Sequence, residues 1–194
     1  MDANKNPTGK RVTTNDYGSA DYYYVNKSSL PKVYGGFNTS LSWKGFDLSA
    51  IFAYSIGGYI YNRDVTMILH NGSLEGRDWS TEILRRWTPD NRYTDVPALS
   101  TTSNNWNSAS TRFLQNNSYM RLKNLTLSYN LPKQWISKLS LSSVQVYVQG
   151  DNLFTIHRNQ GLDPEQGITG ITYYRYPAMR TISGRYQRFF LNSD

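Results

Sequence analysis

The sequence predicts an all-β chain of antiparallel amphipathic strands, of the kind that build a transmembrane β-barrel. Three observations predict it. Segments about ten residues long alternate apolar and polar side chains, the connections between them alternate between very short and very long, and aromatic residues are abundant although no long apolar run occurs. A membrane-crossing strand needs roughly 9–11 residues with one apolar face, and bacterial outer-membrane barrels join such strands by short turns on one side and long loops on the other.

The first expected strand, 33–44, sets Phe37, Thr39, Leu41 and Trp43 against Asn38, Ser40, Ser42 and Lys44. The chain turns at Lys44-Gly45. The second strand, 46–56, then sets Phe46, Leu48, Ala50, Phe52 and Tyr54 against Asp47, Ser49, Ile51, Ala53 and Ser55. A long connection, 57–117, follows, and a helical segment is expected inside it because Trp79, Ile83, Leu84 and Trp87 recur at helical spacing before Pro89. The third strand, 118–131, alternates Leu125, Leu127, Tyr129 and Leu131 with Thr126, Ser128 and Asn130. A short turn with helical character begins at Pro132, a residue suited to a helix start. The fourth strand, 143–155, places Val144, Val146 and Val148 opposite Ser143, Gln145, Tyr147 and Gln149. A second long connection, 156–178, rich in Gly, Asp and Pro, leads to the last strand, 180–191, with Ile182, Tyr186 and Phe190 on one side and Ser183, Arg185 and Gln187 on the other. In a barrel this order of turns puts both long loops on the same side of the membrane. Residues 1–31 read as loop and the tail of a preceding strand, with an aromatic patch at Tyr22, Tyr23 and Tyr24.

Composition agrees with this class. The chain has 194 residues, sixteen Tyr and five Trp, yet only 38% hydrophobic residues, which suits aromatic girdles around a polar lumen. No window approaches the length of a transmembrane helix. Cysteine is absent, which removes disulfides, thiolate metal sites and cysteine nucleophiles. Net charge is +7, but the Lys and Arg residues are scattered singly or in pairs such as Arg85-Arg86, so no basic stripe argues for nucleic acid. The polar N-terminus is not a signal peptide, and the expected reading is the C-terminal piece of a longer protein, since five strands cannot close a membrane barrel.

Chemistry-bearing constellations are few. His70 and His157 lie in expected loops and lack metal-ligand spacing. Asp163 and Glu165 flank Pro164 in a string that a turn explains. No phosphate loop, nucleophile elbow or His-Glu-x-x-His motif occurs. No enzyme activity, cofactor or metal is expected. The aromatic residues of the first long connection, Tyr59, Tyr61, Trp79, Trp87 and Trp106, are the candidates for stacking on a ligand; folding the loop or sitting at the membrane interface are their alternative roles.

Several strings, in order, carry a family likeness: SLPKVYGGFN at 29–38, WKGFDLSA at 43–50, YSIGGYIY at 54–61, RWTPDN at 86–91, TDVP at 94–97, RFLQNNSYMRLKNLTLSYNLP at 112–132, VYVQGDNLFT at 146–155 and GLDPE at 161–165. Together they resemble the C-terminal barrel region of the SusC/RagA family of TonB-dependent outer-membrane transporters. The resemblance implies the last five strands of a barrel of about 22, import of a large nutrient (an oligosaccharide or a peptide) energised by TonB, and a SusD-like surface lipoprotein as lid. The family's plug and TonB-contacting segment are not among these residues, and the final stretch from Arg185 is more basic than the family's apolar alternation. A soluble secreted β-sandwich that binds carbohydrate through exposed aromatics is the competing expectation; it requires the apolar strand faces to pack on one another.

Overall fold

Alternation of side chains along extended segments is realised as a single meandering sheet. The computed structural model describes residues 16–190 except 21, 23, 71, 73–75, 101–104, 138–140, 162, 166–168 and 173. In chain order the strands and helices are β1 (Val33–Trp43), β2 (Phe46–Ile56), β3 (Tyr59–Tyr61), α1 (Arg63–Ile68), β4 (Leu114–Asn116), β5 (Tyr119–Asn130), α2 (Lys133–Ile136), β6 (Leu141–His157) and β7 (Thr181–Phe190), with short 3₁₀ turns between some of them. The five long strands form an antiparallel sheet in the order β1-β2-β5-β6-β7, and β3 with β4 makes a separate two-stranded ribbon. Of the expected aromatic patch, Tyr23 lies outside the described residues, and no strand precedes β1 among those described.

The hairpin between β1 and β2 is closed by Lys44 at φ 48° and Gly45 at φ 88°. Positive φ at both central residues defines a type I′ turn, whose twist matches that of the flanking strands. It sets the register Trp43↔Phe46, from which every later pair in that hairpin follows.

Register carries the alternation across the sheet. One face presents the rows Trp43–Phe46–Tyr129–Val146–Tyr186, Leu41–Leu48–Leu127–Val148–Gly184, Thr39–Ala50–Leu125–Gly150–Ile182 and Phe37–Phe52–Leu122–Phe154. Two further rows, Gly35–Tyr54–Met120–Ile156 and Val33–Ile56, complete it. Aromatic rings concentrate in the Trp43 and Phe37 rows, where Phe46 lies tilted against Tyr129 at 4.4 Å and Phe37 stacks on Phe52 at 4.7 Å. From Val33 to Trp43 the face spans roughly 33 Å along the strand at about 3.3 Å per residue. At the ~40° tilt of barrel strands that is about 25 Å of height, the apolar band of a membrane barrel.

The opposite face is polar and hydrogen-bonded to itself. Ser42 donates to Asp47 at 2.5 Å and Asn130 to the other Asp47 oxygen at 3.0 Å. Asn124 donates to Asp151 at 2.7 Å, Gln149 to the same carboxylate at 3.2 Å, and Gln145 to Ser128 at 3.3 Å. Register shifts at Lys123 of β5 and at Asn152 and Leu153 of β6, where Asn152 has φ 52°, keep both faces continuous toward the loop end.

The sheet has almost no core of its own. Ala50 is its one buried apolar residue among those described, while Leu127 is 47% exposed and Trp43 64%. The buried apolar residues collect instead in the long connections, in Ile60, Leu69, Ile83, Val96 and Phe113, with Ile136 under the turn at α2. The sandwich expectation is thereby corrected: among the described residues no second sheet packs on the apolar face, and the only other ribbon lies in the loops.

The expected helix around 78–87 is also corrected. The segment holds only a 3₁₀ turn, Thr81–Arg85, capped by Ser80. Its flanking backbone groups are committed elsewhere, Ser80 N–H to Ile68 C=O and Trp87 N–H to Val96 C=O, so an α-helix cannot propagate. Instead α1 forms earlier, where the Asn62 side chain accepts from Val65 N–H. Pro132 stands at the N-cap of α2 rather than at its first helical position.

Candidate functional site

The region richest in convergent side chains is the layer formed by the two long connections at one end of the sheet. It is built from β3 upward. Gly57, at φ 93°, turns the chain off β2, and β3 then pairs with β4, Tyr61 opposite Leu114. This ribbon frames a core in which Phe113 is 1% exposed and Ile60 2%.

The second connection threads into that framework. Tyr61 N–H donates to Gly170 C=O at 2.7 Å, and Thr172 N–H donates back to Tyr61 C=O at 3.1 Å, a short parallel bridge. Gly170 needs its own backbone freedom here: φ is 72°, and a Cβ would stand 2.6 Å from Ser29 Cβ. Asp64 accepts from Tyr174 N–H at 3.0 Å, Asn117 donates to Pro164 C=O at 2.8 Å, and Asn62 donates to Gln160 C=O at 3.0 Å. Thus two connections from different hairpins share one hydrogen-bond network.

The layer is fastened to the polar face by charge. Arg121 lies opposite Ala53 and Thr155 and is 3% exposed. Its Nη2 pairs with Asp163, its Nη1 donates to Glu165 at 3.0 Å, and its Nε donates to Thr155 Oγ1 at 3.1 Å. Lys123 Nζ reaches the same Glu165 at 2.5 Å. Burial pushes the Asp163 carboxyl upward, but hydrogen bonds from Ala178 and Glu165 N–H and the Arg121 guanidinium outweigh it and hold the group below the ordinary carboxylate range.

The four aromatic candidates whose side chains are described do not converge. Tyr59 is half-buried, with Lys27 Nζ 4.6 Å above its ring. Beside it is a cavity of about 310 Å³ bounded by Tyr34, Gly58, Asn117, Tyr119 and Pro164. Tyr61 points into the loop core, edge-on to Phe113 at 6.2 Å, where burial raises its phenol. Trp79 packs edge-on against His70 at 5.2 Å, and His70 is fully buried rather than a surface polar residue. Trp87 is 44% exposed beside Val96. Trp106 belongs to the 3₁₀ turn Asn105–Asn107, and its side chain lies outside the described residues. His157 Nδ1 contacts Asn159 C=O at 2.9 Å. Among the described residues no group of three or more His, Cys, Asp or Glu is placed to hold a metal ion.

The residue that sequence reasoning missed is Arg121. Asp163 and Glu165 were legible only as a turn, and their shared partner lies 42 and 44 residues away on a strand. The available signal was a basic pair, Arg121 and Lys123, interrupting an otherwise uncharged strand.

A sheet whose apolar face stays bare over six rows while its polar face is satisfied internally is a section of membrane β-barrel wall. Comparison with known proteins carries the assignment further. No protein-family profile matches the chain. It is 34% identical over 159 residues to TonB-dependent receptor P3 of Formosa agariphila, a match covering 76% of this chain and 15% of that protein. It is 28% identical over 159 residues to TonB-dependent receptor SusC of Bacteroides thetaiotaomicron, covering 81% of this chain and 15% of SusC. Among solved structures it is similar to the RagAB peptide importer in the closed-closed state, with a TM-score of 0.79 at 34% identity over 93% of this chain and 20% of that one. The open-open state of the same importer gives a TM-score of 0.76. The chain belongs to the SusC/RagA family of TonB-dependent outer-membrane receptors. It spans 15–20% of the length of these relatives.

Proposed function

We propose that this chain is the C-terminal part of the barrel wall of an outer-membrane importer that takes up a large nutrient, driven by TonB and capped by a SusD-like surface lipoprotein. The observation that carries the reading is the bare apolar face of membrane height, on a sheet that superimposes on an importer at a TM-score of 0.79. In this reading the apolar rows contact lipid, the polar face lines the lumen, and the aromatic row of Trp43, Phe46, Tyr129 and Tyr186 sits at one membrane interface. The long connections lie on the outer side, with the tight turn at Gly45 and the α2 turn on the periplasmic side.

β1 and β7 are exposed along their whole length, as edge strands are in an open sheet. Within a closed barrel β1 pairs with the strand before it and β7 with the first strand of the barrel. Transport by such a wall involves no covalent step. The cargo is an oligosaccharide, for which the tyrosines beside the 310 Å³ cavity are suited because their ring faces stack on sugars. A peptide is the second reading, favoured by the likeness to a peptide importer. Of the aromatic candidates, Tyr59 is the one we place against cargo.

The test is uptake of labelled oligosaccharides and peptides by cells carrying the complete receptor, with TonB active or deleted. Uptake of either class that is lost without TonB is the expected result, and the class taken up decides between the two cargoes. A receptor whose removal changes uptake of neither class would overturn the import reading.

A further inference from the structure

We propose that Arg121 is the positioning residue that fastens both long connections to the sheet as one rigid body. The contacts form a continuous chain. Arg121 is anchored in β5, and its planar fork serves two carboxylates and the Thr155 hydroxyl at once. Asp163 in turn accepts from Glu165 N–H at 2.9 Å and from Ala178 N–H at 2.7 Å, so one carboxylate ties the outgoing and returning limbs of the second connection together. Between those limbs, Gly170, Thr172 and Tyr174 are bonded to Tyr61 and Asp64 of the first connection. Movement of either connection away from the sheet therefore has to break the Arg121 pairs or the Tyr61 bridge.

The pair is nearly dry, with Arg121 3% and Asp163 8% exposed at their side chains. Removal of Arg121 takes the counter-charge from a buried carboxylate that keeps its Glu165 and Ala178 N–H donors, and removal of Asp163 takes one of two carboxylates from a buried guanidinium; either is more disruptive than loss of a surface ion pair. Lys123 provides the contrast. It is a third exposed and, among the described residues, reaches Glu165 and not the Asp163 hub. Lysine at 121 could not replace the fork, because a single ammonium cannot present paired donors to two carboxylates and a hydroxyl in fixed directions. This fastening does not depend on what the receptor carries.

Hydrogen exchange of the complete receptor in detergent tests it, with Arg121→Gln, Arg121→Lys, Asp163→Asn and Lys123→Gln compared against the parent. Losing a charge-assisted bond of this kind should speed local exchange roughly 10- to 100-fold. The expected pattern is faster exchange in 158–180 and in 59–70 together for Arg121→Gln and Asp163→Asn, a smaller increase for Arg121→Lys, and none for Lys123→Gln. Strand segments 46–52 and 124–130 should keep the parent rates. Faster exchange in 158–180 with 59–70 unchanged would overturn the single-body inference, as would equal effects of Lys123→Gln. Should Arg121→Gln fail to assemble, Asp163→Asn decides alone, since it alters only the loop side; unchanged exchange in that variant overturns the proposal.

Discussion

Replacing Leu125 by arginine should unseat the barrel wall, whereas the same replacement at the adjacent Thr126 should be tolerated. Leu125 lies in the row Thr39–Ala50–Leu125–Gly150–Ile182, two rows from the aromatic row that contains Tyr129. Four residues at about 3.3 Å each, on a strand tilted ~40°, put it about 10 Å below that interface. In an apolar band about 25 Å high this is close to the midplane, where an arginine facing lipid costs about 2–4 kcal/mol. Thr126 faces the polar side, where it donates to Asn124 at 3.0 Å, and an arginine there remains solvated. The difference corresponds to a shift of roughly 30- to 700-fold in the folding equilibrium. It is measured by urea titration of the complete receptor in lipid vesicles, followed by tryptophan fluorescence. A cost below about 1 kcal/mol for Leu125→Arg, or an equal cost at Thr126, would refute the assignment of faces.

Three further outcomes are expected. Gly45→Ala places a Cβ 3.1 Å from Asn130 C=O at a φ of 88°, and should lower the unfolding free energy in urea by about 1–2 kcal/mol; Lys44→Asn, which suits the left-handed turn position, should raise it. The Asp163 carboxyl is held below its ordinary value, so its contribution to loop attachment is fully present above that value and is lost as pH falls through the depressed one. The groups facing it are Arg121 and Tyr119 on β5 and Glu165 on its own loop, the last also paired with Lys123; a nitroxide at position 176 should keep constant mobility from pH 8 to about 5 and gain mobility only below ~4. Tyr59→Ala should weaken cargo binding to the complete receptor by roughly 2- to 10-fold in calorimetry, while Tyr93→Ala, at a fully exposed position, should leave it unchanged.

Much of the fold was legible because a period of two is a purely local signal. Phe46 to Ala50 and Leu125 to Tyr129 alternate without interruption, and they fall on the faces that alternation assigns them. The turn at Lys44-Gly45 was legible because the glycine meets a backbone requirement of the tightest hairpin. Legibility failed where tertiary partners decided the outcome. β6 runs two residues past both ends of the expected strand, because its pairing with β5 continues to His157 and its pairing with β7 begins at Leu141. The helical spacing of Trp79, Ile83 and Trp87 did not make a helix, since Ile68 and Val96 captured the backbone groups at its ends. α1, six residues long, is too short to leave a periodic trace.

The loop layer was the least legible part. Aromatic content singled out Trp79 and Tyr61, which serve the packing of the layer against His70 and Phe113. The contacts that organise it, Arg121 to Asp163, Asn62 to Gln160 and Asp64 to Tyr174, join residues 42 to 110 positions apart, beyond the reach of any local pattern.

The most direct test of the barrel-wall assignment is a cysteine scan of residues 124–129 in the complete receptor, reconstituted in bilayers and labelled with a fluorophore. Quenching by brominated acyl chains and by a water-soluble quencher would be read at each position. Strong lipid quenching at Leu125, Leu127 and Tyr129, alternating with access to the water-soluble quencher at Asn124, Thr126 and Ser128, is the expected result. Protection of the apolar positions from both quenchers would mean that the face is packed against protein, and would contradict the assignment.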